Sequence, residues 1–250
     1  MIQNDFLAVR DRILSEERSI QGIGTLGEKA MHRILKNYIE PDREMHECPI
    51  GDFVADIYRE NEIVEVQTRN FNVLSRKLDA FLAIAPVTVA HPICVETVLN
   101  WVDPDTGEIV ERRKSSKKGR VYDIARELIR LKPYLRNPDL HFHLFFLKAE
   151  EYRLLDGYGV KGKKHATKMD RIPKELLYEV KLSCPEDYRV LLPEGIPSSF
   201  TSEDYRKAAH VPIPTARAAI CILNDMGFVE NRGRQGRRKL WTMRIPSPMK

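Results

Sequence analysis

Long apolar runs are the plainest lack in this chain. No stretch approaches the roughly 18 to 20 consecutive apolar residues that span a bilayer. The first residues, MIQNDFLAVRDRILSEERS, are charged throughout and carry no apolar core of a secretory signal. Cysteine is scarce too: Cys48, Cys94, Cys184 and Cys221 lie far apart, with no CxxC spacing and no nearby histidine pair. That argues against a zinc knuckle and fits a reduced, cytoplasmic setting. Phosphate-binding and nucleophile motifs are also missing, since neither GxxxxGK[ST], GxGxxG nor GxSxG occurs. The glycines of GIGTLGE (22–28) lack the spacing of a phosphate loop and read as a flexible entry to a helix.

What is present is enough apolar material for a sizeable core: 42% of 250 residues, on a chain between one large domain and a domain with a small appendage in length. The formal net charge is only +5, so where the charge lies matters more than its sum. It is clustered in ERRKSSKKGR (111–120), KGKKHATK (161–168) and NRGRQGRRK (231–239). One such stretch is ordinarily a solvated loop; three in one chain lean toward a polyanionic partner.

The spacing of Leu26, Met31, Ile34, Leu35 and Tyr38 predicts a helix from about 26 to 39, with Pro41 beyond its end. HECPIGDFVADIYRE and NEIVEVQT read as two strand-like runs joined tightly through Glu60, Asn61 and Glu62. SRKLDAFLAIA (75–85) returns to helical spacing before Pro86, and VTVAHPICV is a strand. ETVLNWVDPDTGEIVER is a hairpin with DPDTG as its turn. VYDIARELIRLKPYL (121–135) is an amphipathic helix, and HFHLFFLKAEEYRLL a buried strand. The order is that of an α/β domain with helices covering a mixed sheet. His141 and His143 share one strand face, but no third ligand accompanies them, so a half-exposed strand face is the better reading. His91, before Pro92, reads as structural.

Beyond this domain (1–192) the composition changes. Pro193, Gly195, Pro197 and two serines make 193–200 a linker. Residues 201–250 then parse as a helix (about 202–209), a turn through His210 to Pro212, a second helix (about 214–226), and two strand arms around RGRQGRR. That is the winged-helix pattern. Its second helix is expected to present Thr215 and Arg217 to a groove of duplex DNA, with Arg232, Arg234, Arg237, Arg238 and Lys239 of the hairpin at phosphates or the minor groove. A solvated basic loop, or a protein-docking winged helix, is the plainer alternative.

The acidic residues of DIYRENEIVEVQT (56–68) pose a sharper question. Val54, Asp56 and Tyr58 share one side of the first arm, and Ile63, Glu65 and Gln67 one side of the second, so Asp56 and Glu65 can converge. Two carboxylates held close repel unless a cation sits between them or one is protonated. A hard divalent ion such as Mg²⁺ wants such ligands and keeps several waters, and Gln67 could position one of those waters.

The pattern of Asp56, then Glu65, one apolar residue and Gln67 resembles the restriction-endonuclease-like nucleases, the PD-(D/E)XK superfamily. The resemblance covers roughly residues 20–150 and includes the order helix, meander, helix, strand. It implies a restriction-endonuclease-like core and a divalent-metal-dependent DNA endonuclease using Mg²⁺, with Mn²⁺ able to substitute. The ligands would be Glu28, Asp56 and Glu65. Glu28 is the family's first-helix Glu, although TLGE (25–28) also has the form of a capping box. Gln67 stands where the family usually has Lys; Lys77 or Arg76 on the next helix would then supply the positive charge. The partner implied is double-stranded or branched DNA, and a homodimer would place two active sites on a duplex. The alternative is a DNA-binding regulator or recruitment protein whose nuclease-like domain has lost its chemistry.

Overall fold

The computed structural model describes residues 2–20, 29–157 and 166–244. The chain forms two compact units: 1–68 with 89–119 and 143–180, and 69–88 with 120–142 and 181–250. It is an α/β protein whose mixed sheet of seven strands is flanked by helices.

In the first unit, α1 (Ile2–Ile20) and α2 (Ala30–Ile39) precede β1 (His46–Ile50), β2 (Phe53–Arg59) and β3 (Glu62–Val66). The remaining strands are β4 (Val87–Val102), β5 (Ile109–Lys114), β6 (Leu140–Leu154) and β7 (Thr167–Leu182). Their order is β1-β2-β3-β4-β6-β7, with β5 paired to β4. Periodicity explains the core. Ala30, Met31, Ile34 and Leu35 form one stripe of α2 and are buried with Phe6 and Ile13 of α1, Ile57, Val64 and Val66 of the meander, and Phe145, Leu147 and Ala149 of β6. Each large side chain contributes about 1.5–3 kcal/mol by leaving water.

The β2–β3 register is set by its turn. Glu60 and Asn61 both take positive φ, 44° and 64°, as a two-residue hairpin loop of the primed type requires. Ile57 thereby stands opposite Val64, Tyr58 opposite Ile63, and Arg59 opposite Glu62. Glu62, expected in the connection, instead begins β3.

In the first unit three elements depart from the sequence expectations. The N-terminal residues form α1, whose apolar positions Phe6 and Ile13 are sparse among charges yet fully buried. HECPIGDFVADIYRE is two strands rather than one, because Gly51, at φ 57°, turns β1 back onto β2. The third is β7, whose alternation is blurred by charges and by Pro173; it lies at the end of the sheet order, where a missing ladder N–H is tolerated.

The second unit contains α3 (Ser75–Phe81), α4 (Ala125–Leu128), β8 (Ser199–Phe200), α5 (Ser202–Ala209), α6 (Ile213–Asp225), β9 (Val229–Gln235) and β10 (Arg238–Met243). The amphipathic segment 121–135 is not one helix. Only α4 is α-helical; 3₁₀ turns flank it, and Leu131 leaves the helical region just before Pro133, which has no N–H and crowds the preceding turn. The expected linker 193–200 is no spacer. Phe200 is buried, and β8 pairs with β10 in a small sheet of order β8-β10-β9. The units accordingly divide at 68/69, 88/89, 119/120, 142/143 and 180/181, and not at 192/193.

Helix α5 starts where Thr201 caps it. The Thr201 hydroxyl accepts from the backbone of Glu203 and Asp204, and Asp204 returns a bond to the Thr201 N–H at 2.8 Å. His210 in the left-handed region closes its far end, three residues before α6 begins.

Candidate functional site

Two groups of expected site residues are brought together, one in each unit. In the first unit the β2–β3 register, continued one residue beyond Ile57 and Val64, sets Asp56 opposite Glu65. The Glu65 side chain is 3% exposed and its Oε1 accepts the Asp56 backbone N–H at 3.3 Å. Asp56 Oδ2 in turn accepts the Val66 N–H at 2.8 Å. Each carboxylate thus reaches across to the other's strand.

A residue not singled out in the sequence completes the group. His32 of α2 places Nε2 at 3.1 Å from Asp56 Oδ2. It lies on the helix expected over 26–39, whose residues were read in the sequence for their apolar spacing and for Glu28. Glu28 itself lies outside the described residues, as does the TLGE capping box. The described N-terminus of α2 is held instead by Asp170 of β7, whose Oδ2 accepts the Ala30 N–H at 3.1 Å.

Gln67 lies just past the end of β3, half-buried. Its backbone is fixed to β4: its N–H donates to the Ala90 carbonyl at 2.8 Å, and its carbonyl meets His91 Nδ1 at 2.6 Å. His91, read as structural in the sequence, sits within β4 rather than at a strand end. Lys77 and Arg76 are on α3 in the second unit, and Lys77 Nζ stands 5.8 Å from the centre of the Phe81 ring.

Among the described residues no group of three or more His, Cys, Asp and Glu side chains is arranged to hold a metal ion. Two carboxylates still suit Mg²⁺, which is often held by one or two of them with water and substrate phosphate completing its shell. Asp56 and Glu65 are donors of the kind that ion takes, and His32 already lies against Asp56 Oδ2.

The basic stretches part company. Arg112 meets Glu150 at 2.6 Å, and the Arg113 guanidinium lies 5.0 Å from the centre of the Trp101 ring, so these two cations of 111–120 have partners within the first unit. Lys168, the last residue of the second stretch, meets Glu151 at 2.8 Å, while 158–165 lie outside the described residues. Of the histidine pair, His143 has a local partner, its Nε2 lying 2.6 Å from Glu179 Oε2.

In the second unit a cleft of about 410 Å³ opens between α6 and the hairpin. Arg217, Arg237, Arg238 and Lys239 line it, joined by Ser202, Cys221, Asn224 and Trp241, which were not anticipated. Arg232 and Arg234 are not among the lining residues, and Arg232 is paired with Glu230. Thr215 corrects the expectation: it is 4% exposed, on the inner face of α6 with Ala216 and Ala219, and cannot face a groove. The exposed stripe of α6 runs through Arg217 and Asn224 instead.

Residues 29–183 match the family described as "Domain of unknown function (DUF8091)". The chain belongs to the DUF8091 family. The family match runs from the start of α2 to just past β7, so it includes the carboxylate pair and stops before α5, α6 and the hairpin. An uncharacterized protein of Treponema pallidum (strain Nichols) is 28% identical over 234 residues, covering 90% of this chain and 88% of its own. That likeness therefore extends past the DUF8091 segment. No solved structure matches the chain. None of the described helices is long and apolar enough to cross a membrane.

Proposed function

We propose that this protein is a divalent-metal-dependent DNA endonuclease, with a restriction-endonuclease-like core and a C-terminal winged helix that binds the nucleic acid. One observation carries the reading: Asp56 and a buried Glu65 face each other across β2 and β3, each accepting an N–H from the other's strand. Burying Glu65 so close to a second carboxylate is costly unless positive charge is nearby when the site works. Mg²⁺ bound there would supply that charge and lower the pKa of a coordinated water. Asp56 and Glu65 would hold the ion with Glu28, Gln67 would orient the water, and the cations of the α6 cleft would hold the DNA. The order of helix, meander, helix and strand supports the core, and the order of α5, α6 and hairpin supports the winged helix.

The test uses Asp56→Asn and Glu65→Gln, which keep an oxygen to accept the Val66 and Asp56 N–H groups and so spare the hairpin. Wild type is expected to cleave plasmid, branched or single-stranded DNA with Mg²⁺ or Mn²⁺, and both variants to lose it. Equal nicking by wild type and variants, at equal purity, would sink the proposal.

A second reading has its own observation. His32 at 3.1 Å from Asp56, when protonated, neutralises that carboxylate without a metal, and Gln67 brings no positive charge. On this reading the first unit is a scaffold and the protein a DNA-binding regulator. Calorimetry with Mn²⁺ separates the two: a nuclease binds the ion and loses it in Asp56→Asn, whereas a scaffold gives no heat in either.

A further inference from the structure

We infer that the cleft between α6 and the hairpin takes one unpaired nucleotide, its base stacked on Trp241 and its phosphates held by Arg217, Arg238 and Lys239, so that the protein selects nucleic acid with single-stranded character. The inference rests on reading the second unit as a nucleic-acid-binding region, and goes beyond it by naming what form is bound.

Shape argues first. A helix that reads a duplex enters the major groove as a ridge, with its exposed residues outermost. Here the exposed stripe of α6 forms one wall of a cleft, and Arg237, Arg238 and Lys239 approach from the hairpin to form the other. A volume of about 410 Å³ lies in the range of sites for single small ligands. A trough of that size accepts one strand or one displaced nucleotide.

Chemistry argues second. All four charged residues that line the cleft are cations, and no acidic side chain lines it among the described residues. Cations alone would fit any phosphate. Trp241 adds an aromatic surface, and bases stack on such rings whatever their identity. Lys239 Nζ, 5.9 Å from the centre of that ring, already sets positive charge beside it. Asn224 and Ser202 add an amide and a hydroxyl, which can donate to and accept from a base edge. An aromatic face, a fork of cations and uncharged hydrogen-bonding groups are together the parts of a nucleotide site.

Tryptophan itself provides the assay. The chain has two, and Trp101 is 1% exposed in β4, so a ligand-induced change in emission reports Trp241. A short oligothymidylate, the same strand made abasic, a blunt duplex of equal length and inorganic phosphate are titrated into the full-length protein. Oligothymidylate is expected to quench emission and to bind about 10-fold or more tightly than the abasic strand, a ratio set by one stacked base. Trp241→Leu should lose roughly 5- to 100-fold in affinity for oligothymidylate, while Trp241→Phe, which can still stack, keeps most of it. Melting temperatures of both variants serve as the folding control.

Equal affinity for oligothymidylate, abasic strand and duplex, unchanged in Trp241→Leu, would overturn the inference while leaving DNA binding intact. No binding of any strand at low salt would remove the nucleic-acid reading with it. Binding of inorganic phosphate without quenching would make the cleft a phosphate site only.

Discussion

Replacing Glu151 by Gln should cost stability in a way that depends on pH. Glu151 of β6 is 2% exposed and is met by Arg153 at 2.6 Å, Lys168 at 2.8 Å and Arg171 at 2.6 Å. Burial by itself pushes its carboxyl up, but bonds from Lys168, Arg171 and Arg153 outweigh that and bring it from the usual 4.5 down to about 2. At about 1.4 kcal/mol per pH unit, that difference makes the ionised form worth about 3 kcal/mol to the folded state at pH 7. A carboxyl depressed by folding contributes fully above its unfolded value of 4.5 and loses the contribution as pH falls toward about 2. The cost of Glu151→Gln should accordingly be about 3 kcal/mol at pH 7, about 1.4 kcal/mol at pH 3, and close to nothing at pH 2. Urea unfolding at each pH in a Trp241→Phe background, followed by the emission of Trp101, measures it; Trp101 lies 6.0 Å from the Arg153 guanidinium and reports the first unit. A cost that is the same at pH 7 and pH 3 would show that Glu151 stabilises by packing and hydrogen bonding alone, and would refute the electrostatic account.

Other consequences are simpler. Asp56→Asn should abolish Mn²⁺ heats in calorimetry while leaving the melting temperature within a few degrees, because the Val66 N–H keeps its acceptor. Arg238→Ala should weaken oligothymidylate binding and reduce the slope of log K against log salt by about 0.7, the loss of one phosphate contact on a single strand; an unchanged slope would place Arg238 away from the strand. Gly119→Ala puts a Cβ 2.5 Å from the Cys94 carbonyl oxygen and 2.9 Å from Ile93 Cγ2, and should cost about 1–3 kcal/mol in chemical unfolding. Thr201→Ala removes the acceptor that caps α5. About 1 kcal/mol should follow, seen as a fall of about 2–4 °C in melting temperature.

Periodicity and turn chemistry determined a good deal on their own. The stripe of Ala30, Met31, Ile34 and Leu35, the hairpin at Glu60–Asn61, the buried β6 and the two C-terminal helices all follow from local rules, because each element's burial pattern is written at its own spacing. Convergence of Asp56 and Glu65 was legible from strand alternation, which sets Asp56 on one face of its arm with Val54 and Tyr58 and Glu65 on one face of the other with Ile63 and Gln67; the two-residue turn that puts them opposite was not, since Glu62 was expected in the connection. Tertiary structure decided the rest. Which helix residue meets Asp56 depends on how α2 lies on the sheet, and that made it His32. The same helix-packing geometry turned Thr215 inward and Arg217 outward, one buried face being shared by neighbours that the sequence alone does not rank. The cleft joining α6 to Arg237, Arg238, Lys239 and Trp241 exists only once hairpin and helix pack together, because no local pattern carries the distance between residues 20 positions apart.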